Sequence, residues 1–138
     1  MAREARGSAA ANRLEPDDGR ARRPAAPIDH AFLARFTLGN AAVEREVLEL
    51  FAGHVPLYLE QLCAATTAKA WRNAAHAIKG SALGVGAARL ARFAEMAEKL
   101  DIEAEVAVGE GLREQAIVAV AEAAEEACRY IARLFATA

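Results

Sequence analysis

From Ile28 onward the apolar residues of this chain recur at helical spacing, in five segments set apart by capping residues and glycines. Helices patterned in this way bury one stripe each against their neighbours, and a bundle is the natural result. The first segment is short, running from Asp29, a good N-cap, to about Thr37, with Phe32, Leu33 and Phe36 forming an apolar lid. Asn40 is placed to cap a long second segment, in which Val43, Val47, Leu50, Phe51, Leu57, Leu59 and Leu62 are expected to face inward. Pro56 should kink that helix near Gly53 to Val55. Thr66 or Thr67 caps the third segment, which ends around Gly84 to Gly86. The fourth is expected from Ala87 to about Ala104, with Leu90, Phe93, Ala97 and Leu100 in line. The fifth runs from about Glu110 to Phe135 and aligns Leu112, Ala116, Val120, Ala123, Ala127, Tyr130 and Leu134. The predicted fold is all-α: an antiparallel four-helix bundle with a short additional N-terminal helix.

Composition narrows what such a bundle can do. A chain of 138 residues that is 54% hydrophobic fills one core of ordinary size. A formal net charge of −2 argues against a nucleic-acid or anionic-membrane surface, and the sequence has no apolar run long enough to suggest a bilayer span. Residues 1–27 hold six arginines against four acids and have no apolar stretch of the kind found in secretory signals. They are expected to form a disordered arm in front of a bundle domain at 28–138. Cys63 and Cys128 lack metal-binding or redox spacing and are expected to be buried thiols of a cytoplasmic protein.

The third segment carries the chemistry, in the stretch His76-Ala-Ile-Lys79-Gly80-Ser81-Ala82-Leu83-Gly84-Val85-Gly86-Ala87. On a helical wheel of roughly 100° per residue, Ala75, Ile78, Ala82 and Val85 cluster with Trp71 as the buried stripe, and His76 lies about 140° from Trp71. The histidine should therefore face solvent. Gly80, four residues on, leaves a gap in the side-chain cover beside it, and Lys79 at the third position can bring an ammonium to whatever the imidazole carries. Arg72, one turn earlier, and Leu83, beyond Gly80, lie on the same face. A lone exposed histidine means little, and a lone glycine could serve helix packing. It is their register with Lys79 that points to a site for a visiting partner.

This pattern, with Gly86 and Ala87 ten and eleven residues after the histidine, resembles the histidine-containing phosphotransfer (HPt) domain of bacterial phosphorelays. The likeness extends upstream through Ala74-Ala75, downstream into Arg89-Leu90-Ala91, and more weakly from Ile28 to about Leu134. It implies the same bundle fold. It also implies that His76 is the phosphoacceptor, that Lys79 stabilises the phosphoryl charge, and that Arg72, Gly80 and Leu83 form the face on which a receiver domain docks. Partners would be response-regulator receiver domains and a hybrid sensor histidine kinase, with no nucleic acid and no membrane, and the chain would act as a cytoplasmic monomer. It would need no cofactor or metal of its own; the magnesium ion belongs to the receiver's acidic pocket.

The residues agree with that chemistry. A neutral imidazole keeps a ring-nitrogen lone pair that can attack an activated phosphoryl group, and a phosphohistidine can return the group to a carboxylate at little thermodynamic cost. Other chemistries fit less well. Gly80-x-x-x-Gly84-x-Gly86 lacks the Gly-Lys-Ser/Thr ending of a phosphate loop. His30, His54 and His76 have no metal-ligand spacing, and Asp101, Glu103 and Glu105 look like a solvated loop edge. A histidine kinase would need an ATP-binding domain for which the chain has no room. The alternative is a helical adaptor that docks a receiver or sensor kinase without being phosphorylated.

Overall fold

The computed structural model describes residues 26–104 and 111–136. Most of the arm expected at 1–27 lies outside the described residues, as does the expected start of the last helix at Glu110. The helices whose bounds lie within the described residues are α1 (His30–Thr37), α2 (Ala41–Ala64), α3 (Ala68–Val85), α4 (Ala88–Lys99) and α5 (Leu112–Phe135), and 102–104 are helical as well. Among the described residues there is no strand, and no helix is long and apolar enough to cross a membrane. The three side-chain caps close in the same way. Asp29, Asn40 and Thr67 accept from the amides of Phe32, Val43 and Ala70 at 3.1, 3.1 and 3.0 Å, each satisfying one orphan donor of a first turn.

Helices α2, α3, α4 and α5 each pack against the next in order, and α5 closes the ring against α2. Among the described residues the backbones of the diagonal pairs stay apart, with no Cα of one within 8 Å of a Cα of the other, as in a four-helix bundle of up-and-down connectivity. The core is unevenly supplied. Helix α2 contributes Leu48, Phe51, Val55 and Leu62 and α3 contributes Trp71 and Ile78, whereas α4 and α5 present mainly alanines, among them Ala94, Ala97, Ala124 and Ala127. Trp71 is completely buried and donates its indole N–H to the Ala97 carbonyl at 2.6 Å. Over its ring, at 5.3 Å, lies the Arg113 guanidinium, which also donates to the Ala65 and Cys63 carbonyls, both at 2.8 Å. One side chain of α5 thereby satisfies the carbonyl end of α2 and covers the tryptophan of α3.

Helix α1 is fastened to α3 at its C-terminal end. The Asp29 amide donates to the Gly86 carbonyl at 3.0 Å, and Ile28 and Leu33 are fully or almost fully buried. Gly86 has φ +74°, and a Cβ there would stand 2.9 Å from the Asp29 Cβ and 3.1 to 3.2 Å from Asp29 backbone atoms. Only glycine allows this turn and this approach together.

Several expectations need correction. Val43, Leu50 and Leu57 do not face inward: Leu50 and Leu57 are each 54% exposed. They share one outer face at seven-residue spacing, while Leu48, Phe51, Val55 and Leu62 take the core side. Of the α1 lid, Leu33 is buried but Phe36 is exposed. On α5, Leu112 and Leu134 are partly exposed, and Ala124 and Ile131 join the core. Helix α2 stays continuous through Pro56, the residue expected to kink it. Helix α4 stops at Lys99, five residues short of Ala104, because Leu100 turns extended and the Asp101 carboxylate accepts from the Glu103 and Ala104 amides to start a new turn. Glu103 in turn accepts the Ala68 amide at 2.9 Å, so Asp101 and Glu103 are capping residues rather than a plain loop edge. Cys63 is exposed and Cys128 half-buried, both as free thiols, because the turn of α2 carrying Cys63 lies beside the core stripe instead of on it.

Candidate functional site

The rotation of α3 is set by what it buries. Trp71, Ala74, Ala75, Ile78, Ala82 and Val85 all point into the core, and that turns Arg72, His76, Gly80 and Leu83 outward. The His76 side chain is 68% exposed, and Leu83 is 54% exposed. Gly80 lies in open space, since a Cβ built on it would meet nothing within 4 Å. Close packing within the chain therefore does not account for this glycine, and the same holds for Gly84. Helix α3 nonetheless continues past Gly84 to Val85 and stops at Gly86.

The ring of His76 is held by a residue that the sequence reading missed. Its Nδ1 lies 2.9 Å from Oε2 of Glu98 on α4, and the other oxygen of the same carboxylate, Oε1, is 2.9 Å from Lys79 Nζ. Lys79 is thus neither free in solvent nor pointed past the imidazole; it is tied across the α3–α4 seam. The hydrogen bond from Lys79 is the main reason the Glu98 carboxyl lies below its usual range, with His76 adding to it and partial burial opposing. By the same pairing Lys79 is held above its ordinary value, with Glu95 contributing and desolvation opposing.

A carboxylate kept ionised can only accept hydrogen bonds. The contact therefore places the ring proton on Nδ1, which donates to Glu98, and leaves the lone pair of the neutral ring on Nε2. Among the described residues Nε2 has no hydrogen-bond partner. The arrangement is a nucleophilic nitrogen of fixed tautomer on an open helical face, with an ammonium one turn away and no side chain at Gly80 to obstruct approach. A signal for Glu98 did exist. In an antiparallel hairpin that turns at Gly86-Ala87, a residue ten before the turn faces one about eleven after it, and those positions are His76 and Glu98.

Comparison with known proteins agrees with this geometry. No curated protein and no solved structure gives a significant match to the chain. The family model of the Hpt domain matches residues 46–129, a span that holds most of α2, the whole of α3 and α4, and most of α5. With more than half its length matched, and with a bundle that presents an outward histidine beside a lysine and a glycine, the chain belongs to the Hpt domain family, whose members are phosphocarriers of phosphorelays.

Proposed function

We propose that His76 is the phosphoacceptor of a His-Asp relay, taking a phosphoryl group from one receiver-domain aspartate and passing it to another. The observation that carries this reading is the single-point anchoring of the ring: Nδ1 is bound to Glu98 at 2.9 Å while the rest of the side chain stands open. In the transfer, the Nε2 lone pair attacks the phosphorus of the aspartyl phosphate in line with the departing carboxylate oxygen. The N–P bond forms, the P–O bond breaks, and the aspartate leaves as a carboxylate. The Nδ1 proton stays on the ring, facing Glu98. Transfer back or onward is the same step reversed.

Lys79 offsets part of the charge that arrives with the phosphoryl group. Gly80 gives the partner's acidic pocket, with its magnesium ion, room to approach, and Arg72 and Leu83 supply rim contacts. The chain works in the cytoplasm as a monomer between receivers, one of which belongs to a hybrid sensor kinase. A pure adaptor would have no use for a tautomer-fixed, outward imidazole in register with Lys79 and Gly80.

The test is label transfer. Mixed with a phosphorylated receiver, the protein should acquire an acid-labile, alkali-stable adduct, and His76→Gln should abolish it with the fold intact. Transfer that persists in His76→Gln would overturn the assignment. Receiver binding without any transfer by the parent chain would favour the adaptor.

A further inference from the structure

Most cations of α3 and α4 are already matched. Lys79 pairs with Glu98 at 2.9 Å and Lys99 with Glu95 at 3.3 Å, Arg89 reaches Glu126 at 2.8 Å, and the Arg92 guanidinium lies over the Phe93 ring at 5.8 Å. Arg72 is different. It is exposed on the outward face of α3, and among the described residues its guanidinium has no ion pair, hydrogen bond or ring contact. Lys69 shares that condition but stands two turns from the histidine, where Arg72 stands one.

Arg72 and His76 lie about 40° apart around the helix axis and about 6 Å apart along it, the spacing at which helical side chains are neighbours. Aromatic side chains on a helix lean toward its N-terminus, so the imidazole extends over the turn that carries Arg72. With Nδ1 held at Glu98, a phosphoryl group on Nε2 comes within reach of a guanidinium on that turn. Lys79 cannot serve it equally, because the Glu98 carboxylate already matches its charge. The dianion thus arrives at a face where, among the described residues, the unmatched cation within one turn of His76 is Arg72. We propose that Arg72, rather than Lys79, makes the direct contact with the phosphoryl group of phospho-His76, its planar fork donating to two phosphoryl oxygens. The inference rests on the phosphoacceptor reading of His76 given above and gives Arg72 a role beyond that of a rim contact. Lys79 contributes at longer range, from the seam.

The experiment needs no receiver. The full chain and its Arg72→Ala, Arg72→Lys and Lys69→Ala variants are treated with phosphoramidate, whose P–N bond breaks as Nε2 bonds to phosphorus and ammonia leaves. The labelling rate is followed at low and high salt, and the phosphoryl group on each labelled protein is titrated by phosphorus NMR. Arg72→Ala is expected to label about three- to tenfold more slowly than the parent at low salt, with the gap closing as salt rises. The last protonation of its phosphoryl group should move up by about half a pH unit, because the dianion has lost a cation. Arg72→Lys keeps the charge without the fork and should recover part of both changes. Lys69→Ala should match the parent. A docking role alone would leave the titration in place and slow only transfer from a receiver. An unchanged phosphoryl titration in Arg72→Ala, with circular dichroism reporting the same fold, overturns the inference. An equal shift in Lys69→Ala overturns it too, since the effect would then be a diffuse field and not a contact. Failure of the parent to label, or equal labelling of His76→Gln, instead removes the phosphoacceptor reading and this inference with it.

Discussion

Two glycines six residues apart on one helix do opposite work. At Gly86, where α3 ends, the backbone is left-handed and a Cβ would be driven into Asp29 at 2.9 Å, so the glycine is required by the fold itself. At Gly80 the backbone is ordinary helix, the surroundings are open, and a Cβ would meet nothing within 4 Å. A glycine inside a helix costs about 1 kcal/mol against alanine, and nothing in the chain offsets that cost at Gly80. The comparison separates residues that the fold needs from residues that only a partner needs, and His76 lies one turn from the second kind.

Gly86→Ala should have the largest effect on stability. A left-handed conformation costs a residue with a Cβ about 1 to 2 kcal/mol, and here the Asp29 backbone must also move. We expect a loss of about 2 to 4 kcal/mol in chemical denaturation, with α1 released from the end of α3. Phosphotransfer by the remaining folded fraction should be near normal, because His76, Lys79 and Glu98 lie two or more turns away along the seam. A stable Gly86→Ala with impaired transfer would reverse the roles assigned to the two glycines.

Gly80→Gln should show the mirror image. It is expected to fold at least as well as the parent, since glutamine has better helix propensity and has room, yet to transfer phosphoryl groups more slowly by about tenfold or more, equivalent to some 1.4 kcal/mol of docking. Gly80→Ala should stabilise the helix by about 0.5 to 1 kcal/mol with little loss of transfer. If Gly80→Gln unfolds the bundle, the open space around this glycine is not what the geometry indicates.

How much of this was legible in the sequence depended on whether the cause was local. The caps at Asp29, Asn40 and Thr67 act within three residues, so their chemistry can be read directly, and each makes its hydrogen bond. The outward aspect of His76 followed from the buried stripe of the same helix. The inward face of α2 did not, because its apolar residues spread over about half of the helix circumference and periodicity cannot choose between Leu50 and Leu48 as the centre of the buried stripe. The early stop of α4 was hidden because Asp101 begins a new turn where apolar residues continue through Leu100 and Ile102. Glu98 was missed for a third reason. Its role exists only across the seam between two helices, twenty-two residues apart, and became visible once the turn at Gly86-Ala87 set the register.

The smallest effect should come from the stability contributed by the seam itself. Glu98 ionises more readily in the folded chain than at its ordinary value of 4.5, so its pairing supports the fold above that pH and is lost as pH falls through the folded-state value. Lys79 is raised above its ordinary 10.5, so its share is present below that pH and is lost only as pH rises through its folded value. Between the two the contribution is flat across neutrality. It is also small, because both side chains remain about one-quarter exposed and water and salt screen the pair. Glu98→Gln should shift the thermal midpoint at neutral pH by no more than about two degrees, and the difference from the parent should vanish in acid, where the parent's carboxyl is protonated too. A large neutral-pH loss would mean that the seam holds the bundle together. Glu98 would then belong with Gly86 among the residues the fold requires.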